Sequence, residues 1–236
     1  MRNILNVVRL HTNKRQMFFA VPLFILAVGA VISIVIVLTI QRFGGDPGTA
    51  DYIEGARSNG GLVWSVGGFF GYLGVQAVSL TFPFALALGT TRRAFVLGTA
   101  LANALLAAYV TAVLAALFLI EQATNHWGMG LYLTDVMWFG SGHLGWLIVI
   151  AFLLFFGLLS VGGLFAASWV RFGSKGSIGL ALAIALVLAL VLLVFAPQIP
   201  ELLMGYRAWM GVTAGVAVSA LSVLGTWLLM RRASVR

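Results

Sequence analysis

The chain has 236 residues, of which 61% are hydrophobic and only 8% charged, with a mean hydropathy of +1.07. A soluble domain carries about 25% charged residues, so this composition excludes one; it also holds too much apolar mass for a disordered basic tail. The net charge of +8 on so apolar a chain fits the rim of a membrane protein better than a nucleic-acid surface, and the absence of cysteine excludes a disulfide framework or thiolate metal site.

Residues 1–17 are predicted to form a helix lying at the membrane interface. At helical spacing Ile4, Leu5, Val8 and His11 share one face, and Arg2, Asn6, Arg9 and Asn13 share the other. Lys14 and Arg15 then fall at the level of the lipid phosphates.

A transmembrane helix needs about 20 apolar residues. Six stretches meet that length without any Asp, Glu, Lys or Arg: 18–40, 62–88, 94–120, 144–170, 178–196 and 211–230. Apolar residues run round all sides of each, which an amphipathic soluble helix would not tolerate. A membrane barrel would instead alternate polar and apolar residues in strands of about ten. The expected fold is therefore all-α and polytopic, with an interfacial helix over 1–17 and a six-helix transmembrane domain over 18–236. The first span is longer than the apolar core of a signal peptide and ends in a poor cleavage context, Leu38-Thr39-Ile40-Gln41, so it is expected to be permanent.

Between spans one and two the Gly-rich connection reads as flexible. Pro83 interrupts span two, frees a carbonyl near Ser79 and is expected to kink the helix. Polar side chains within spans, Gln76, Ser79 and Asn103 among them, either bond neighbouring helices or line a translocation path. The connection from His126 to His143 reads as a segment on the membrane surface, and a short surface helix is expected after Pro200. Small residues four apart, Gly67 and Gly71, Gly98 and Ala102, Gly211 and Gly215, are candidates for close helix packing.

Charge sets the orientation. The two ends of the chain and the connections 89–93 and 171–177 hold eleven basic residues and no acid. The other three connections hold Arg42, Arg57 and Arg207 with all six acids. The positive-inside rule puts both termini in the cytoplasm. All seven tryptophans fall at span ends, as amphipathic indoles prefer the headgroup level.

Chemistry within the chain is not expected. Proton or ion relays need ionisable groups inside spans, and the predicted spans have none. His126 and His143 read as exposed loop residues. Ser141 and His143, two residues apart, do not make a nucleophile–base pair on separate helices. Gly173-Ser174-Lys175-Gly176-Ser177 lacks the spacing of a nucleotide-binding loop. No catalytic, cofactor-binding or metal-ligating residue is therefore assigned, and the chain is not read as an enzyme.

The most informative string is the short turn between spans two and three, Gly89-Thr90-Thr91-Arg92-Arg93-Ala94-Phe95. Gly89 can end one helix and Thr90 or Thr91 can cap the next. The string and the layout resemble the ABC-2 type permeases, membrane subunits of ATP-driven exporters. These have about six spans, cytoplasmic termini, an amphipathic helix before span one and a short basic coupling element after span two. The resemblance implies a separate ABC ATP-binding subunit that carries ATP and Mg, a second permease copy or paralogue, and contact with membrane lipid in a bacterial plasma membrane. It implies that Gly89, Thr90, Thr91, Arg92, Arg93 and Phe95 form the ATPase-coupling element, with Arg92 and Arg93 meeting acids and Phe95 anchoring in a cleft. The interfacial helix, through Ile4, Leu5, Val8, Arg9, Lys14 and Arg15, would flank it. The cargo would be hydrophobic or amphipathic. Two other readings fit the composition: a substrate-binding membrane subunit of a vitamin uptake system, and a non-transport immunity or assembly protein.

Overall fold

The computed structural model describes residues 2–13, 16–199, 205 and 207–233. The expected pair Lys14 and Arg15, and most of the expected surface helix after Pro200, lie outside the described residues. Among the described residues all regular structure is helical: α1 (Arg2–Thr12), a π-helical turn (Gln16–Ala20) running into α2 (Val21–Arg42), α3 (Ala50–Ser58), α4 (Gly61–Ser79), α5 (Thr81–Ala87), α6 (Arg92–Ala123), α7 (Leu144–Phe172), α8 (Ser174–Phe195) and α9 (Ala208–Met230).

Among the described residues six helical segments are long and apolar enough to cross a bilayer: Gln16–Arg42, Gly67–Ala87, Arg92–Ala123, Leu144–Phe172, Ser174–Gln198 and Ala208–Met230. They fall where the charge-free stretches lie, and they make the chain a multi-pass membrane protein. The third exceeds its expected bounds. With 32 residues at about 1.5 Å each, α6 outruns a hydrocarbon core of about 30 Å. It begins at Arg92 because the Thr91 hydroxyl accepts from the Ala94 amide at 3.2 Å, and it reaches Ala123 because Glu121 is satisfied from outside the helix.

The expected break in span two is present: α4 stops at Ser79 and α5 starts at Thr81, two residues before Pro83. The proline ring excludes the Ser79 carbonyl from an ordinary helical bond.

α7 is the central element, with α4 and α9 beside it. A Cβ added at Gly74 would stand 2.1 Å from the Leu159 carbonyl oxygen, and one at Gly162 would stand 2.1 Å from that of Gly71. α4 and α7 therefore cross backbone to backbone, which only glycine permits. Successive contacts of Gly157 with Ser219 and Gly163 with Thr226 show α9 running parallel to α7. The expected glycine pairs share little in this. Open space lies over Gly67 and Gly71, although the Gly71 carbonyl forms the crossing. Gly98 receives α1, with Val7 Cβ at 2.6 Å from its added carbon, and Gly215 receives Leu153.

Two apolar clusters fill the bundle. One joins Phe70, Leu114, Leu147 and Phe155 to Leu131 and Val136 of the long connection. The other, at the opposite end, joins Phe82, Phe95, Ala167 and Met230 to Val7 of α1. α8 has no buried residue and lies against α7 at the edge of the bundle.

Candidate functional site

The ends of the bundle differ in chemistry. At one, the turn end, α5 closes with Gly89 at φ +78°, a left-handed value suited to glycine. The Thr90 amide donates to Ala85 O at 3.0 Å and the Gly89 amide to Leu86 O at 2.9 Å. That pair of bonds is a Schellman motif, so the turn has one defined shape. Thr91, rather than Thr90, is the cap of α6. Arg92 Nη1 donates to the Arg231 carbonyl oxygen at 2.9 Å, tying the turn to the end of α9, where a cation also suits the helix dipole. Arg92 and Arg93 are both exposed.

Phe95 departs from its expected role. It is fully buried, edge-on to Phe82 with ring centroids 5.1 Å apart. It anchors the turn from inside and presents nothing to a partner's cleft, because the first turn of α6 points it into the bundle beneath α1.

α1 docks on α5 and α6. Its buried face is Val7 and Val8, flanked by the partly covered Ile4 and His11. Leu5, expected on that face, is 51% exposed, and Val7 takes its place at 1%. The face turns by one residue because the groove it enters opens at Gly98, and Val7 fits there. Arg9 is exposed on the other side. The His11 ring meets Thr99 Oγ1 through Nε2 at 3.0 Å. Burial pushes the His11 pKa down to about 4, so the imidazole is neutral near pH 7.

Between α1, α4, α5 and α6 lies a cavity of about 380 Å³. His11, Gln76, Thr81 and Asn103 line it with apolar neighbours such as Phe18 and Leu106. The structure thus brings together Gln76 and Asn103. Ser79 is spent elsewhere: its hydroxyl donates back to Val75 O at 2.8 Å.

The other end, the loop end, is sealed. Residues 131–136 of the long connection are all buried. Glu121, fully buried, accepts from the amides of Leu133 at 3.1 Å, Thr134 at 2.8 Å and Asp135 at 3.4 Å, and from the Thr134 hydroxyl at 2.5 Å. Asp135, 1% exposed, accepts from Arg57 at 2.8 Å and Gln122 at 3.3 Å and meets His126 Nε2 at 3.1 Å. α3 completes the cap, with Tyr52 OH donating to Gly130 O at 3.1 Å and Trp138 Nε1 to Ser58 O at 3.3 Å.

Three expectations are corrected here. The connection 126–143 plugs the bundle instead of lying on its surface, because Glu121 and Asp135 satisfy its backbone and side chains. The first Gly-rich connection holds the helix α3 rather than a flexible loop. His126 is paired and stacked on Tyr132, with ring centroids 4.1 Å apart, not an exposed loop histidine. A buried carboxylate therefore does stand in a span helix, as Glu121, but its four donors give it a structural task. Among the described residues no group of His, Asp and Glu is arranged to hold a metal.

Fold and composition define an all-α multi-pass membrane protein with one sealed and one open end. Comparison adds no family to that class: no family model, no curated protein and no solved structure matches the chain.

Proposed function

We propose that the chain is the permease subunit of an ABC exporter of the ABC-2 type, with the turn end facing the cytoplasm. The observation that carries this reading is the basic turn Gly89–Arg93. It is exposed, fixed in shape by the Schellman motif and the Thr91 cap, and tied by Arg92 to the end of α9, while α1 docks on the two helices that the turn joins. A turn so held transmits force to three helices at once. A loop that merely oriented the chain would need the charge but not the bracing. The separate ATPase subunit binds ATP and Mg, and its closure moves two permease subunits that contact each other within the membrane. Docking runs through Arg93 and the exposed face of α1, including Arg9. Arg92 acts chiefly within the chain, on α9, and Phe95 holds the turn from beneath. The cargo is hydrophobic or amphipathic.

Co-purification from native membranes in mild detergent tests the reading: an ATP-hydrolysing subunit is expected to accompany the chain. Arg93→Glu is expected to release it while leaving the fold intact, since Arg93 has no hydrogen bond or ion pair among the described residues. A chain that purifies without an ATPase across several detergents overturns the proposal.

A further inference from the structure

The cavity between α1, α4, α5 and α6 is not needed for docking an ATPase, and its lining has a definite chemistry. Its volume of about 380 Å³ lies in the range of small-molecule sites, about 300–1,000 Å³. None of the described residues that line it is charged. His11, the one titratable polar group among them, is neutral and already engaged with Thr99. Gln76 donates to the Tyr72 hydroxyl, which occupies part of its amide, and Thr81 donates to the Ala77 carbonyl.

Asn103 is different. It is 8% exposed and lines the cavity. Its amide makes no hydrogen bond among the described residues, whereas the buried Glu121 of the same bundle accepts four. Its two donors and its acceptor open onto the cavity, where a ligand group can meet them. Apart from the exposed Asn13 at its edge, the remaining wall is apolar, with Phe18, Leu73, Phe84 and Leu106.

We infer that this cavity binds an uncharged amphiphile, its amide or hydroxyl group bonded to Asn103 and Gln76 and its hydrocarbon part against Leu73 and Leu106. A charged headgroup is disfavoured because no described lining residue offers a counter-charge. A plain alkane is disfavoured because it leaves Asn103 unmet. α1 forms one wall through Leu10 and His11, so occupancy and α1 docking are coupled. This binding stands apart from the transport reading: absence of an ATPase partner leaves it untouched, and failure of binding leaves the docking turn untouched.

The test uses the full chain in nanodiscs. The natural chain has no cysteine, so Ala77→Cys places a single thiol on the cavity wall, and its alkylation by N-ethylmaleimide reports occupancy. Decanamide added from water at about ten times its Kd is expected to slow alkylation about tenfold by mass action. 1-Decanoylglycerol built into the bilayer offers the same chemistry from a membrane source, and the arm that protects names the source. Decane and decanoate at equal membrane concentration are expected to protect far less. Asn103→Leu is expected to abolish the preference for decanamide over decane, a change of about tenfold for one buried partner. Gln76→Leu gives an independent reading of the same preference. No protection by either amphiphile, equal protection by decanoate, or a preference unchanged in both leucine variants overturns the inference.

Discussion

The loop end and the turn end solve opposite problems with similar materials. At the loop end two buried acids, Glu121 and Asp135, draw the long connection down onto the bundle through bonds to its amides and side chains. At the turn end the charges stay outside, and the fixed shape comes from backbone bonds and a threonine cap. Buried charge must be matched by nearby donors, so it locks a segment in place. Exposed charge held on a rigid turn is free to meet something else. The contrast is between an end locked by buried charge and an end that keeps its charge exposed.

The largest expected effect comes from unlocking the sealed end. Glu121→Leu strands three backbone amides and a hydroxyl in an apolar site, and is expected to cost about 3–5 kcal/mol. Thermal unfolding in detergent would show it as a large drop in Tm. Glu121→Gln keeps one acceptor oxygen and is expected to lose less.

The second effect loosens the turn end without touching the loop end. Gly98→Leu fills the groove that takes Val7, at a cost of about 1–3 kcal/mol for overpacking. α1 is expected to detach while the bundle persists, so trypsin should cleave at the exposed Arg9 well before it cuts the bundle.

Acid should do the same reversibly. The pKa of His11 is about 4 when α1 is docked and about 6.5 when it is free. The released state therefore binds the proton more tightly. Stability of docking is complete above pH 6.5, falls as the pH drops below that value and stops falling near pH 4. At pH 5 the loss is about 2 kcal/mol. Hydrogen exchange of the α1 amides should accelerate over this window, and His11→Gln should flatten the response.

The smallest effects separate the two arginines. Arg92→Gln removes the bond to Arg231 O and is expected to cost about 1 kcal/mol. Arg93→Gln, with no internal partner, should stay within about 0.5 kcal/mol. Equal losses would contradict the division between an internal brace and an external contact.

The spans were legible because a hydrocarbon core demands long charge-free helices and nothing else satisfies it. The turn was legible for a similar reason: Gly89 and Thr91 act locally, through a positive φ and a cap. The loop end was not. Glu121 lies at a span boundary, where an acid reads as a solvated end. Only the folded chain shows that four donors twelve to fourteen residues away converge on it. Phe95 misled because an aromatic after a basic turn reads equally as a docking knob or a core residue, and the choice depends on how α6 is rotated. The same rotation replaced Leu5 with Val7 on α1. A two-sided apolar helix such as LNVV leaves the face to be decided by the groove it meets, here at Gly98. The cavity was half legible: Gln76 and Asn103 stood out as polar residues in apolar spans, but their convergence needed the break at Pro83 and the return of α1.

The central claim is that the sealed and open ends face opposite sides of the membrane, with the basic turn on the side that holds ATP. Because the chain lacks cysteine, a single thiol reports its own side. Gly55→Cys, on the exposed surface of α3 with open space over it, marks the loop end, and Arg93→Cys marks the turn end. In intact cells a membrane-impermeant maleimide is expected to label the first and spare the second, and in inverted vesicles the order should reverse. Labelling of both positions from one side, or of Arg93→Cys from outside intact cells, would contradict the account.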